Sequence, residues 1–231
     1  MLLMQGVIEP GDYDGLIDFA VLHDLNLPLS GIVLSSPGGD VSEALKIGRL
    51  VKKLYMEAFV GPEFGQCASA CFLIFASAVE RYSGAGLVGI HRPYVSPERL
   101  RSLSPKEAET VETQSLLEAE EYLHQLRVPG NMVDTMFEHA STQIHWLSDD
   151  ELINQLGRRA MWYEEFLIAR CGLNKSLELR AADAYDDNKR SLSEMRIAVN
   201  SCRDRLVRSE AQANYKKAIT AASADHVKQA K

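Results

Sequence analysis

No stretch of this chain reaches the roughly 18 apolar residues that a membrane-spanning helix requires, so no membrane span is expected. The opening Met1-Leu2-Leu3-Met4-Gln5-Gly6 lacks the charged region and long apolar core of a signal peptide. Cysteine is scarce. Cys67, Cys71, Cys171 and Cys202 are too few to build a disulfide scaffold. They have no second C-x₂-C or H-x₃-H partner of zinc spacing, so neither a metal nor another cofactor is called for. Basic residues are also in short supply: 25 Lys+Arg against 32 Asp+Glu leave a net charge of -7. That composition offers no basic stripe and argues against a nucleic-acid partner. Beyond Gly172 there is no glycine and no proline at all, so turn chemistry is missing from the last quarter of the chain.

What remains is ordinary globular material. The 231 residues are 46% apolar and 25% charged, enough to bury a core without metal or disulfide help. Charge divides the chain. Residues 172–231 hold 12 basic and 8 acidic residues, whereas 1–171 hold 13 and 24. The break at Cys171-Gly172 separates a domain over 1–171 from a C-terminal extension over 172–231.

Hydrophobic periodicity gives the elements. Leu2 to Ile8 reads as a strand, Gly11 to Asn26 as a helix, and Leu29 to Leu34 as a strand that ends in the sharp turn Ser35-Ser36-Pro37-Gly38-Gly39. Asp40 and Glu43 have the spacing of a reciprocal helix cap, followed by a stripe of Val41, Leu45, Gly48, Val51 and Leu54. Ala58 to Val60 is a strand, Ala68 to Val79 a buried helix, and Leu87 to Ile90 a strand that ends at His91. A Pro/Ser-rich linker leads to a long helix from Pro105 to Arg127 with a glutamate-rich face. Shorter helices follow over Met132–His139 and Asp149–Leu156, with a last strand over Arg159–Tyr163. Strands alternating with helices imply an α/β fold with mostly parallel pairing. In the extension, Tyr185, Leu192, Met195, Val199, Cys202 and Leu206 recur at heptad-like steps, so 176–222 should be helical. A continuous helix would hold Cys171 and Cys202 about 40 Å apart. Asp186-Asp187-Asn188 is the only turn-prone cluster between them, and because the heptad phase crosses it without a slip, the continuous helix is expected.

Three stretches carry candidate chemistry. Ser36-Pro37-Gly38-Gly39 can turn tightly and aim backbone N–H groups outward, as an oxyanion requires. Gly65-Gln66-Cys67-Ala68-Ser69-Ala70-Cys71 places Ser69 between alanines at the mouth of an apolar helix, beside N–H groups that lack intrahelical acceptors. Gly89-Ile90-His91-Arg92-Pro93 puts a histidine at a strand end. Alone, each is equally what a plain turn, a packed serine or a strand terminus would show. Jointly they point to a nucleophile beside a base. An 11-residue helix from Ser69 descends about 16 Å, and a strand from Gly86 to His91 climbs back by a similar length. His23, His124, His139, His145 and His226 read as solvated or packed residues, Lys46, Lys52 and Lys53 as a solvated face, and Cys67 and Cys71 as small hydrophobes.

These three stretches, in this order and spacing, resemble the proteolytic subunit of the bacterial Clp protease. They resemble more closely its divergent Clp-like serine peptidases, often exported. The resemblance covers about residues 2–160. It implies a ClpP/crotonase-like ββα spiral in which Ser69 is the nucleophile, His91 the base, and the Gly39 and Ala70 N–H groups the oxyanion hole. In that family an Asp stands four residues before a Ser that opens a late helix. Here Ser148 matches the helix start and Ile144 takes the Asp position, leaving Glu138, Asp149 and Asp150 as nearby substitutes. A Ser-His dyad is the other arrangement, its imidazole oriented by a backbone carbonyl or by Ser141 or Thr142. The expected activity is therefore hydrolysis of a peptide or protein substrate by a homo-oligomer in the bacterial cytoplasm or periplasm. The alternatives are a crotonase-type acyl-CoA enzyme and a catalytically weak or inactive assembly module. The long helix 105–127 is, by the same resemblance, a candidate surface for pairing rings. No G-x-x-x-x-G-K-[ST] occurs, so energy-driven unfolding would need a separate ATPase or adaptor.

Overall fold

The computed structural model describes residues 1–22, 30–183 and 187–229. Tyr185 and Asp186, on which part of the tail reading rests, lie outside them.

Short strands build two sheets. The first consists of β1 (Leu2–Gln5), β2 (Gly31–Ser35), β3 (Glu57–Phe59) and β5 (Glu80–Tyr82), all parallel, in the order β1-β2-β3-β5. The second holds β4 (Cys67–Ala68), β6 (Val88–Ile90) and β7 (His145–Trp146). There β4 and β6 pair in parallel and β7 closes the edge antiparallel to β6. The helices are α1 (Asp12–Leu22), α2 (Val41–Lys53), α3 (Ala70–Ser77), α4 (Pro97–Arg101), α5 (Pro105–Gln125), α6 (Gly130–Glu138), α7 (Met161–Cys171), α8 (Lys175–Asp183) and α9 (Asp187–Gln229), with a π-helical turn over Glu151–Leu156 before α7.

The chain winds as a spiral. Each turn gives a strand to the first sheet, a short one to the second, and then a helix: β3-β4-α3, then β5-β6 followed by α4 and α5. The turn before them does the same in reduced form, since Ser36 at the end of β2 bridges Cys67 in parallel before α2 begins. The α/β class with a helical C-terminal extension is thus what the chain adopts, and the ββα repeat is visible in its strand order.

Local sequence explains the pieces that frame the site. Asp40 caps α2 by accepting from the Glu43 N–H at 2.9 Å. Only half of the expected reciprocal cap forms, because the Glu43 carboxylate turns away to the Tyr13 N–H (2.7 Å) and Lys46 Nζ (2.8 Å). The stripe Val41, Leu45, Gly48, Val51 and Leu54 is buried as its 3.6-residue period requires. All eight residues of α3 are buried, and its one hydroxyl, on Ser77, is satisfied by the Leu73 carbonyl and the Tyr122 hydroxyl.

Three expectations need correcting. Arg159–Tyr163 is not a strand. Arg159 makes a single bridge to Glu80, and Met161 opens α7, because Tyr163 and Leu167 bury at helical spacing. The Pro/Ser-rich linker contains α4, capped by Ser96. The tail is not one continuous helix on a heptad seam. Cys171, at the end of α7, and Cys202, within α9, are joined by a disulfide with Cα atoms 5.4 Å apart, which one straight helix over 176–202 would not allow. The buried residues of α9 are Val199, Cys202, Val207, Ala211 and Tyr215, with Leu206 half exposed. That stripe docks onto the chain's own domain, and Tyr215 joins the main core alongside Ile17 and Ile32.

Candidate active site

The second sheet brings the three motifs together. In the β4–β6 pair, Cys67 stands opposite Val88 and Ala68 opposite Gly89, and the Ser69 N–H donates to the Gly89 carbonyl at 3.0 Å. Ser69 and His91 therefore sit just past the ends of neighbouring strands, which run about 4.8 Å apart. Both are buried, at 7% and 4% exposure.

Ser69 joins β4 to α3 in a strained conformation, φ 59 and ψ -127. A non-glycine residue there costs about 1–3 kcal/mol and persists only where its surroundings hold it. Three restraints do so here: the Gly89 hydrogen bond, the Phe72 N–H that donates to the Ser69 carbonyl at 2.9 Å, and a Cys67–Cys71 disulfide. The two cysteines are fully buried as expected, but they are bonded to each other rather than packed as free thiols. They close a loop with Ser69 at its centre, Cα atoms 5.3 Å apart.

The glycine turn lies against this corner. A Cβ placed on Gly38 (φ 99) would come within 2.6 Å of the Ser69 Cβ and 3.0 Å of the Ala70 nitrogen. Ser36 braces the turn, its hydroxyl accepting from the Gly38 N–H at 3.0 Å. On the far side, Ile8 donates to the Gly38 carbonyl and accepts from the Asp40 N–H, both at 2.8 Å. This ladder leaves the Gly39 N–H turned away from Ile8. Among the described residues neither it nor the Ala70 N–H, at the first position of α3, has an acceptor in the chain. The residue that approaches Ser69 most closely is Gly38. A side chain on Gly39 would instead overlap the Ile8 carbonyl oxygen.

His91 Nδ1 lies 2.9 Å from the carbonyl oxygen of Arg92. A carbonyl can only accept, so Nδ1 carries the proton and Nε2 presents a lone pair, the tautomer a general base needs. The Arg92 peptide is itself fixed, its N–H donating to the His139 carbonyl at 2.9 Å. Pro93 follows it and biases Arg92 toward extended backbone, the one sequence signal that could have marked this carbonyl. No hydrogen bond joins His91 to Ser69 among the described residues.

The substitute carboxylates are placed elsewhere. Asp149 accepts from the Ala85 N–H at 3.2 Å, Asp150 binds Asn154 and Gln155, and Glu138 ends α6 in solvent. In β7, Gly89 faces Trp146 and Ile90 faces His145, so the next step of the register sets Ile144 beside His91. The Ile144 side chain packs over Gly89, where a Cβ would meet it at 2.5 Å, so the position expected to hold an Asp lies by the end of β6 with an aliphatic side chain in it. One residue on, His145 pairs instead with Glu151 at 2.7 Å. Burial would raise the Glu151 pKa, but hydrogen bonds from the Ser148 N–H, His145 and the Ser148 hydroxyl outweigh it and hold the group below the usual carboxylate value. Across the mouth, Arg99 of α4 bonds Asp40 at 3.0 Å beside the glycine turn. Lys46 and Lys52 face Glu43 and the Trp162 ring.

No protein-family model and no curated protein sequence matches the chain. Among solved structures it is similar to a point mutant of ClpP1 from Listeria monocytogenes, at 18% identity and a TM-score of 0.45 over 68% of this chain and 87% of that one. It is also similar to a point mutant of the 1510-N membrane-bound stomatin-specific protease, at 13% identity and a TM-score of 0.43 over 74% and 84%. Neither likeness bears on the role of any residue here.

Proposed function

We propose that this chain is a serine-type peptidase that works through a Ser69–His91 dyad. The observation that carries the reading is the strained Ser69 corner, set on the strand next to His91 and flanked by two N–H groups with no acceptor among the described residues. Ser69 Oγ attacks the scissile carbonyl carbon while His91 Nε2 takes the hydroxyl proton. The oxyanion that forms is met by the Gly39 and Ala70 N–H groups. His91 then returns the proton to the leaving amine, and water releases the acyl group by the same route. The Arg92 carbonyl does the orienting that a carboxylate does in a full triad. A carbonyl carries no full charge to stabilise the imidazolium, so turnover should be slow. Loss of the orienting Asp from an intact triad costs about 10⁴ in kcat. Nucleophile–base hydrogen bonds of this kind tighten on substrate binding.

The choice of peptide bonds rests on the motif resemblance. The two disulfides favour an oxidising compartment, the periplasm over the cytoplasm. We further propose a homo-oligomer, fed by a separate ATPase or adaptor when substrates are folded. Light scattering that gives a monomer at micromolar concentration would contradict the oligomer. The main test is cleavage of an unfolded protein and a fluorogenic peptide panel under non-reducing conditions. The wild type should cleave and Ser69→Ala should not. Equal background rates from both would overturn the assignment. A second reading, a catalytically inactive assembly module, is favoured by the aliphatic residue at the position expected to hold the orienting Asp. It predicts intact oligomers with no cleavage.

A further inference from the structure

At the far end of α3 from Ser69, a cavity of about 240 Å³ opens against the edge strand β5 and the π-helical turn. Phe75, Leu152, Ile153 and Leu156 give it an apolar wall, and Arg81, Tyr82, Ser83 and Arg158 complete the lining; no carboxylate residue lines it. Arg81 is 7% exposed. Its terminal nitrogens donate to the Ala76 and Leu156 carbonyls, each at 3.2 Å, while Nε has no partner and no ion pair compensates its charge among the described residues. Burying an uncompensated cation costs several kcal/mol, and burial pushes the guanidinium pKa down to about 10. Arg158 lies over the Tyr82 ring, 4.2 Å from its centroid, its carbonyl accepts the Arg81 N–H at 2.7 Å, and both arginines line the cavity. The nearby carboxylates lie outside the cavity: Glu80, on the same strand, meets Arg159 and the Tyr82 hydroxyl, and Glu57, on β3, pairs with Arg203 and also feels the Arg158 charge.

We propose that this cavity binds a small carboxylate with an apolar body, its charge on Arg81 and Arg158 and its body against Phe75, Leu152 and Leu156. The volume lies below the range of about 300–1,000 Å³ typical of drug-sized sites, which limits the body to a short alkyl chain or one aromatic side chain. The site stands apart from the peptidase reading and does not depend on it, because Phe75 lies about 9 Å along α3 from Ser69.

Isothermal titration with octanoate tests it, using octan-1-ol, acetate and N-acetylphenylalanine as comparators. Saturable octanoate binding is expected, with octan-1-ol and acetate clearly weaker, and unchanged in Ser69→Ala. Arg158→Gln should weaken it about tenfold, and Ile153→Glu, which puts a negative charge on the exposed rim, should abolish it. Arg81→Met should abolish it too; because that variant risks the fold, the two surface variants carry the test. Tighter N-acetylphenylalanine binding would assign the ligand to peptide C-termini, and tighter octanoate binding to free alkyl acids. No saturable binding, equal binding of octan-1-ol, or octanoate binding untouched by both surface variants would each overturn the proposal.

Discussion

A methyl group on Gly38 probes the corner that holds Ser69. In Gly38→Ala the new Cβ lies 2.6 Å from the Ser69 Cβ, 2.8 Å from the Ala68 carbonyl oxygen and 3.0 Å from the Ala70 nitrogen, and two of the three are backbone atoms that cannot swing aside. The φ of 99 adds its own penalty. Left-handed backbone costs about 1–2 kcal/mol and overpacking about 1–3 kcal/mol, so a loss of about 2–5 kcal/mol is expected. Whatever relaxation relieves the overlap must move Ser69 or the Ala70 N–H. A displacement near 1 Å costs about 10²-fold in rate, and loss of one oxyanion donor about 10²–10³-fold. Denaturant midpoints and the rate of fluorophosphonate labelling, both measured where the variant is fully folded, separate the two effects. Gly39→Ala differs in where it strikes: its Cβ overlaps the Ile8 backbone, and a shift that relieves this moves the Gly39 N–H, so both stability and labelling should fall. A folded Gly38→Ala protein that labels at the wild-type rate would refute the claim that this glycine shapes the site.

Other consequences follow from particular contacts. Ile144→Asp places a carboxylate beside His91 and should raise turnover, by well under the full 10⁴-fold or so that an orienting Asp is worth because the Arg92 carbonyl already holds Nδ1; peptide hydrolysis that falls or stays level would show that the register does not deliver it. Reducing the Cys171–Cys202 bridge, or replacing both residues with Ser, removes a 31-residue tether and should cost about 3–4 kcal/mol, visible as a lower urea midpoint. Burial would raise the Glu43 pKa, but the Lys46 hydrogen bond and the Tyr13 N–H outweigh it and hold the group below its ordinary 4.5. A depressed carboxylate contributes stability above that pH and loses it as pH falls toward the folded value. The wild type should therefore weaken below about pH 4.5 more steeply than Glu43→Gln, as read from denaturant midpoints across pH 3 to 6.

The parts legible in the sequence were those where one local signal suffices. The α2 stripe, the apolar α3 and the glutamate-faced α5 each declare themselves by local pattern, and the three short motifs placed Ser69, His91, Gly39 and Ala70 in one neighbourhood. The two-residue strands β4 and β7 are too short for any period to register, and only pairing with β6 defines them. For the same reason the placement of Ile144 beside His91 emerges only from the β6–β7 register. The Arg92 carbonyl escaped because backbone atoms look alike at every position. The tail was misread because a heptad phase describes a seam without saying what fills it. Val199 and Val207 pack with Val79, Tyr163 and Leu167, and the Cys171–Cys202 disulfide requires the chain to turn back somewhere between the two cysteines. The buried Arg81 was invisible because an arginine in a short edge strand reads as surface.

The central claim is that Ser69 is a nucleophile activated by His91. Intact-mass and peptide mapping after incubation with a fluorophosphonate, on non-reduced protein, tests it most directly. A single adduct on Ser69 is predicted, absent in Ser69→Ala and strongly slowed in His91→Ala. Folded wild-type protein that gains no adduct, or one that labels equally without His91, would contradict it.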